Sequence, residues 1–200
     1  MGRKSTDKLR NNNQVKRNQW ARVLYPFFRD HGLIGFSMEE VSDCLRVSKA
    51  TIYNYFASKE EIIDCYLQEK FKDLDQFNDL ISDSDIPTAD RYEQSLYHLL
   101  KHFADFSPRV RRDLEYIFPD KWLQFNLVMD GFMARLTEIF RIGAEEGVFN
   151  AINPELLVIC DRNMLFYLSD QEQVERSGLS LKQAFDEFML MRQNGLIKQS

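Results

Sequence analysis

Two hundred residues with a net charge of -5, 44% apolar and 28% charged side chains, describe an ordinary globular chain with room for one large or two small domains. No apolar run approaches the roughly 18 residues of a membrane span, and the opening MGRKSTDKLRNNN has charge but no apolar h-region, so neither a membrane protein nor a secretory signal is expected. Cys44, Cys65 and Cys160 are odd in number and lack a CxxC pair, which excludes a disulfide framework or zinc ribbon.

The three cysteines read as small buried hydrophobes in a reducing cytoplasm, with a thiol redox sensor as the alternative. The charge is unevenly spread. Residues 1–60 hold eleven Lys or Arg against six Asp or Glu, while residues 61–200 hold fifteen against twenty-five. A net of +5 is thus followed by a net of -10, which places positive potential where a polyanionic partner would need it.

Residues 1–13 form a polar, basic, Asn-rich tail, expected to be flexible. Met1-Gly2 ahead of Ser5-Thr6 is only a faint myristoylation pattern, with no second membrane signal beside it. A helix is predicted from about Val15 to His31, with Trp20, Val23, Leu24, Phe27 and Phe28 as its buried stripe and Gly32 as its stop. Pro26 lies inside that pattern and predicts a kink near Arg22.

The stretch 36–63, FSMEEVSDCLRVSKATIYNYFASKEEII, reads as three short helices joined by tight polar breaks. Ser37 with Glu40 makes a capping box that starts a helix at Met38, with Met38, Val41 and Leu45 on its apolar face. Ser48 caps a second helix, Lys49 to Tyr55, on which Ile52 and Phe56 face the core. Ser58 with Glu61 makes another capping box and starts a third helix. Two short helices across a tight turn make a helix-turn-helix, whose second helix can enter a DNA major groove. Lys49, Thr51, Tyr53, Asn54 and Tyr55 supply donors and hydroxyls, and Ala50 is small enough for close approach. Ser58 and Lys59 lie where free helix amides favour a phosphate.

The run V-S-K-A-T-I-Y-N-Y-F-A-S-K-E-E-I resembles the DNA-binding signature of TetR-family transcriptional regulators, V-S-x-G-T-L-Y-x-Y-F-x-S-K-E-E-L. Val47, Ser48, Thr51, Tyr53, Tyr55, Phe56, Ser58, Lys59, Glu60 and Glu61 match it. Arg46 stands where the family has Gly, and Ala50 replaces the Gly of the recognition helix. A non-glycine at a left-handed Arg46 would cost about 1 kcal/mol. The resemblance covers the first 65 residues or so. It implies a DNA-binding set of Ser37, Arg46, Ser48, Lys49, Ala50, Thr51, Tyr53, Asn54, Tyr55, Ser58 and Lys59. The head is accordingly placed at residues 14–60.

Beyond it, a long connector helix is predicted from Lys59 toward Leu80, through Ile62, Ile63, Tyr66, Leu67, Phe71, Leu74 and Phe77, ending at Ser82–Pro87. Five further helices are predicted, at about Thr88–Phe106, Arg109–Phe118, Pro119–Glu146, Pro154–Ser169 and Ser180–Gln193. The whole is an all-α protein of about nine helices, with residues 61–200 as an effector-binding and dimerisation domain.

The resemblance implies a small-molecule cavity among the body's large apolar side chains. Candidate lining residues are Phe103, Phe106, Tyr116, Trp122, Phe125, Met129 and Phe166, with His98, His102, Asn126 and Arg162 as polar orienters. Core packing is the alternative for each. His98 and His102 share a helical face, but a metal site would need Asp105 as third ligand. No HExxH, phosphate loop or nucleophile elbow occurs, so neither an enzyme nor a cofactor is expected. The resemblance further implies a homodimer through two amphipathic helices, with Leu156, Cys160 and Tyr167 on one and Leu181, Phe185 and Phe188 on the other. The expected function is a cytoplasmic repressor, released from palindromic double-stranded DNA by a small apolar or aromatic effector. The alternative is a DNA-binding protein without such an effector, controlled by a protein partner or organising chromosomes.

Overall fold

The computed structural model describes residues 3–75, 85–103 and 106–196. Among them the chain forms eleven helices, numbered here in order. The head holds α1 (Arg3–Val23), α2 (Tyr25–His31), α3 (Met38–Leu45) and α4 (Lys49–Tyr53). The connector is α5 (Lys59–Asp75). The body holds α6 (Thr88–Phe103), α7 (Pro108–Ile117), α8 (Pro119–Glu145), α9 (Pro154–Leu168), α10 (Gln171–Arg176) and α11 (Leu181–Leu196). Phe77, Leu80 and Asp105 lie outside the described residues.

The start of the chain departs most from expectation. The backbone is helical from Arg3, through most of the span assigned to a flexible tail, and α1 stops at Val23. Pro26 does not kink a continuing helix near Arg22. It occupies the first turn of a new helix, α2, where a missing N–H costs no hydrogen bond. Leu24 is the hinge: its N–H donates to the Trp20 carbonyl at 3.0 Å, and its own carbonyl accepts from Phe28 at 2.9 Å.

Further along, Pro119 and Pro154 open helices where expected, and Pro108, just before the expected start at Arg109, itself falls in the first turn of α7. Gly147, at φ +75, closes the turn after α8. Ser180 caps α11, accepting from Gln183 N–H, while the Gln183 carboxamide accepts from Ser180 N–H at 2.9 Å. Helix α10 was not expected. Its polar sequence QEQVER buries only Val174, and Asp170 starts it by accepting from Gln173 N–H.

One continuous apolar core runs from head to body. In the head, Phe28 and Phe36 lie 5.2 Å apart, centroid to centroid. Tyr66 of the connector touches Phe28 at 4.9 Å and Phe106 of the body at 6.3 Å. Phe106 and Phe125 then meet at 4.9 Å. Each such ring removes 150–250 Å² from water, which makes this chain of aromatics a main cohesive element between the two regions.

The connector is also fixed to the head by charge. Arg22 of α1 donates to Glu69 at 3.1 Å and Asp73 at 2.8 Å, and Tyr25 of α2 donates to Asp73 at 3.2 Å. Burial raises the Glu69 pKa, but hydrogen bonds from Lys72 and Arg22 outweigh it and hold the carboxyl below its ordinary value. The buried Lys70 ammonium lies 3.7 Å from the Tyr25 ring centroid, a desolvated cation–π contact.

Candidate nucleic-acid interface

Helix α3 begins with the expected reciprocal cap. Ser37 Oγ accepts from Glu40 N–H at 3.2 Å, and Glu40 Oε2 accepts from Ser37 N–H at 2.7 Å. Those two bonds lower the Glu40 pKa. At the far end of α3, Arg46 adopts the left-handed conformation, φ 55 and ψ 42. It is the only non-glycine residue with positive φ among the described residues. The turn that follows is closed by Ser42 Oγ, which donates to the Val47 carbonyl at 2.5 Å.

Ser48 then caps α4 by accepting from Thr51 N–H at 3.1 Å. The helix is short, five residues, with Asn54 as its C-cap rather than an interior position. It is fixed from below by Ile52 and Phe56, both essentially inaccessible to water. Burying two such side chains contributes roughly 3–6 kcal/mol. What remains outward is Lys49, Ala50, Tyr53 and Asn54. Tyr53 is 54% exposed.

The other motif residues are partly committed to the protein. Thr51 Oγ1 shares a 2.8 Å hydrogen bond with Ser48 Oγ. Tyr55 packs edge-on against Trp20 at 4.7 Å, which ties α4 to α1. Lys49 pairs with Glu39 at 2.8 Å, an exposed pair of little energetic weight that a phosphate or base could displace. The expected phosphate site at the start of α5 is crowded. Ala57 N–H goes to Glu61 Oε2 at 2.9 Å and Glu61 N–H to Ser58 Oγ at 3.3 Å. A hydrogen bond from its own backbone is the first cause lowering the Glu60 pKa. Lys59 Nζ donates to the Phe36 carbonyl at 2.5 Å and lies 5.0 Å from the Phe36 ring centroid, so it joins α5 to the loop before α3.

Two basic residues of α1 also border this region. Lys16 lies 5.4 Å from the Trp20 ring centroid, and Arg17 lies 4.8 Å from the Phe56 ring centroid. Both stand one turn or less before Trp20, a spacing that sequence reading could have used.

The body candidates separate into groups. Phe103, Phe106, Phe125 and Met129 are fully buried, and the three rings contact one another at 4.9–5.8 Å. Trp122 stacks on Phe125 at 5.3 Å, and Phe166 meets Phe103 at 6.2 Å. Tyr116 does not join them; it is 72% exposed. Arg162 donates to Asp130 at 2.8 Å and to Asn126 at 3.1 Å, which makes those two polar candidates a link between α8 and α9.

The His98 and His102 rings lie 4.3 Å apart, centroid to centroid, tilted by 43°. Burial, the His98 charge and Lys70 push the His102 pKa down to about 4. Among the described residues no group of three or more His, Cys, Asp or Glu is placed to hold a metal. His98 borders a groove of about 690 Å³ between α6 and α11, also lined by Tyr97, Lys101 and Phe185.

On α9 the dimer candidates Leu156, Cys160 and Tyr167 are exposed, as is Ile159. Cys160 is therefore not a buried hydrophobe, whereas Cys65 is. On α11, Phe185 and Phe188 are buried within the chain and Leu181 is half-buried. The outward apolar side chains there are Leu190 and Met191.

Residues 27–64 match the family described as bacterial regulatory proteins, tetR family. The uncharacterized HTH-type transcriptional regulator YvaF of Bacillus subtilis (strain 168) is 22% identical over 140 residues, 68% of this chain and 74% of that protein. A transcriptional regulator from Saccharomonospora viridis, solved in complex with choline, superposes with a TM-score of 0.75 at 14% identity, over 92% of this chain and 99% of that one. A TetR transcription regulator from Haloarcula marismortui ATCC 43049 gives 0.67 at 16% identity, over 91% and 99%. The ketosteroid transcriptional regulator KstR2 of Mycobacterium tuberculosis gives 0.67 at 18% identity, over 92% and 96%. Fold and head geometry together define a helix-turn-helix head on an all-helical body. Residues 27–64 thus carry the family's N-terminal helix-turn-helix region, and the fold of the whole chain is similar to that of solved TetR regulators.

Proposed function

We propose that this protein is a homodimeric repressor that reads a palindromic operator with two copies of α4 and leaves it when a small, largely apolar effector binds the body. The observation that supports this best is α4 itself: capped, anchored by two buried side chains, and presenting Lys49, Ala50, Tyr53 and Asn54 outward. In this reading Lys49 and Asn54 meet base edges, while Tyr53, Thr51 and Tyr55 hold backbone or bases. Ser37, Arg46, Ser48, Ser58, Lys59 and the α1 lysine Lys16 serve phosphates. Residues 14–60 act as the head and 61–200 as the regulatory domain. Its work is binding rather than catalysis. No helix among the described residues is long and apolar enough to cross a membrane, in keeping with action on cytoplasmic DNA.

The exposed apolar face of α9, with Leu190 and Met191 on α11, supplies a surface for the twofold mate. Dimerisation has a physical motive: one short helix reads few base pairs, and two heads a helical turn or a multiple apart read a pseudo-palindrome. An effector would shift the tilt of α5 by its differential affinity for two states, typically about 1–3 kcal/mol of coupling. The choline in the Saccharomonospora relative supports a small-molecule effector here. A second reading, DNA binding without such an effector, is favoured by the mutual packing of Phe103, Phe106 and Phe125, which fill the space the effector was expected to take.

Selection of duplexes from a random pool by the purified protein tests the proposal. A pseudo-palindrome is expected, with Lys49→Ala relaxing its sequence preference and Lys59→Ala weakening every duplex while costing fold stability. Recovery of no enriched sequence would refute the DNA-binding reading.

A further inference from the structure

The C-terminal end of α2 is completed by a helix of the body. The last carbonyls of a helix have no partner within it. Here those of Arg29 and Asp30 are taken by α7: Ser107 Oγ donates to the Arg29 carbonyl at 2.7 Å, and Arg109 donates to the Asp30 carbonyl at 3.2 Å. The next turn of α7 adds the buried Asp113, whose Oδ2 accepts from Leu33 N–H at 2.6 Å, across 80 residues of sequence. Gly32 is required between them. Its φ is +78, and a Cβ there would lie 2.5 Å from Asp113 Oδ2. All three contacts reach backbone atoms of the head, so they depend on its position and not on its side chains. The loop they hold leads from Leu33 straight into the Ser37 cap of α3.

We propose that Asp113, with Ser107 and Arg109, is a positioning residue for DNA recognition. It latches the reading head to the body through the end of α2, a link separate from the connector α5. A head free to rock must be ordered on binding, and a latched head is already ordered, so the latch raises operator affinity. Any change that shifts α7 is then transmitted to α3 and α4 through the 32–36 loop. The inference rests on the DNA-binding reading above.

The test compares full-length wild type, Asp113→Ala and Asp113→Asn by amide exchange and by affinity for the duplex that wild type selects. In Asp113→Ala, exchange over residues 32–36 should rise about tenfold or more, as expected when a buried amide loses a charged acceptor. Exchange over α3 and α4 should stay as in wild type, and affinity should fall about tenfold, the equivalent of roughly one lost hydrogen bond of that kind. Asp113→Asn keeps an acceptor oxygen and should restore both readouts to within a few-fold. Unchanged exchange at 32–36, or faster exchange with unchanged affinity, would overturn the latch. If Asp113→Ala does not fold, Ser107→Ala, which removes one donor, is read by the same two measurements and the same outcomes. Failure of wild type to select any duplex overturns the DNA-binding reading itself, an outcome distinct from either result that overturns the latch alone.

Discussion

Head and body use the same kinds of side chain to opposite ends. In the head, aromatic and aliphatic residues lie beneath a five-residue helix and push its polar side chains outward: Ile52 and Phe56 are buried so that Lys49 and Tyr53 need not be. In the body, the aromatic side chains that looked available for a ligand spend their surface on one another, as Phe103, Phe106 and Phe125 do. The difference teaches where functional residues can be recognised. A motif that must be exposed needs local caps and a turn to present it, and these leave a sequence trace. A cavity wall and a packed core leave the same one.

The sharpest way to break this comparison is to remove a ring from the shared core. Phe28 is fully buried against Phe36 and Tyr66, so Phe28→Ala should cost about 3–5 kcal/mol. Because the core is continuous, urea unfolding followed by far-UV dichroism and by tryptophan fluorescence, which reports Trp20 in the head and Trp122 in the body, should remain a single transition. Two separated transitions would show head and body to be independent units.

A smaller effect tests the local devices of the head. Ser48→Ala removes the cap of α4 and should cost about 1 kcal/mol. Arg46→Gly removes the left-handed penalty at the turn and should return up to about 1 kcal/mol. Opposite shifts in denaturation midpoint are expected, and like signs would sink the account of this turn.

A pH series probes the seam between connector and body. The His102 pKa is pushed down by burial first, then by the His98 charge and by Lys70, with Asp73 opposing, from 6.5 to about 4. The unfolded chain therefore takes up this proton before the folded one. Its contribution to stability is complete above about 6.5 and is lost as pH falls from there toward 4. Melting temperature should decline over that window, and His102→Asn should flatten the decline. An unaltered profile would remove His102 from the seam.

How much of this was legible in the sequence follows the same division. The Ser37–Glu40 box and the Ser48 cap were readable because each is decided within a few residues, whereas the left-handed turn at Arg46 was raised only as a condition, by the Gly that the resembled family has at that position. The break at Leu24 was half legible: Pro26 announced a disturbance, but a kinked helix and a new one share the same apolar stripe. Helix α10 was missed because one apolar residue in six carries no period. The burial of Phe185 and Phe188 was foreseen as a stripe and assigned to a partner, since sequence cannot say whether a stripe faces its own chain or another. The Asp113–Leu33 bond joins positions 80 apart and leaves no local signal.

The central claim is that two copies of α4 touch one duplex together. Affinity should be measured for the selected pseudo-palindrome and for the same duplex with about five base pairs, half a helical turn, inserted at its centre. The account predicts that the insertion rotates one half-site away and removes most of the affinity. Equal binding to both duplexes would contradict it.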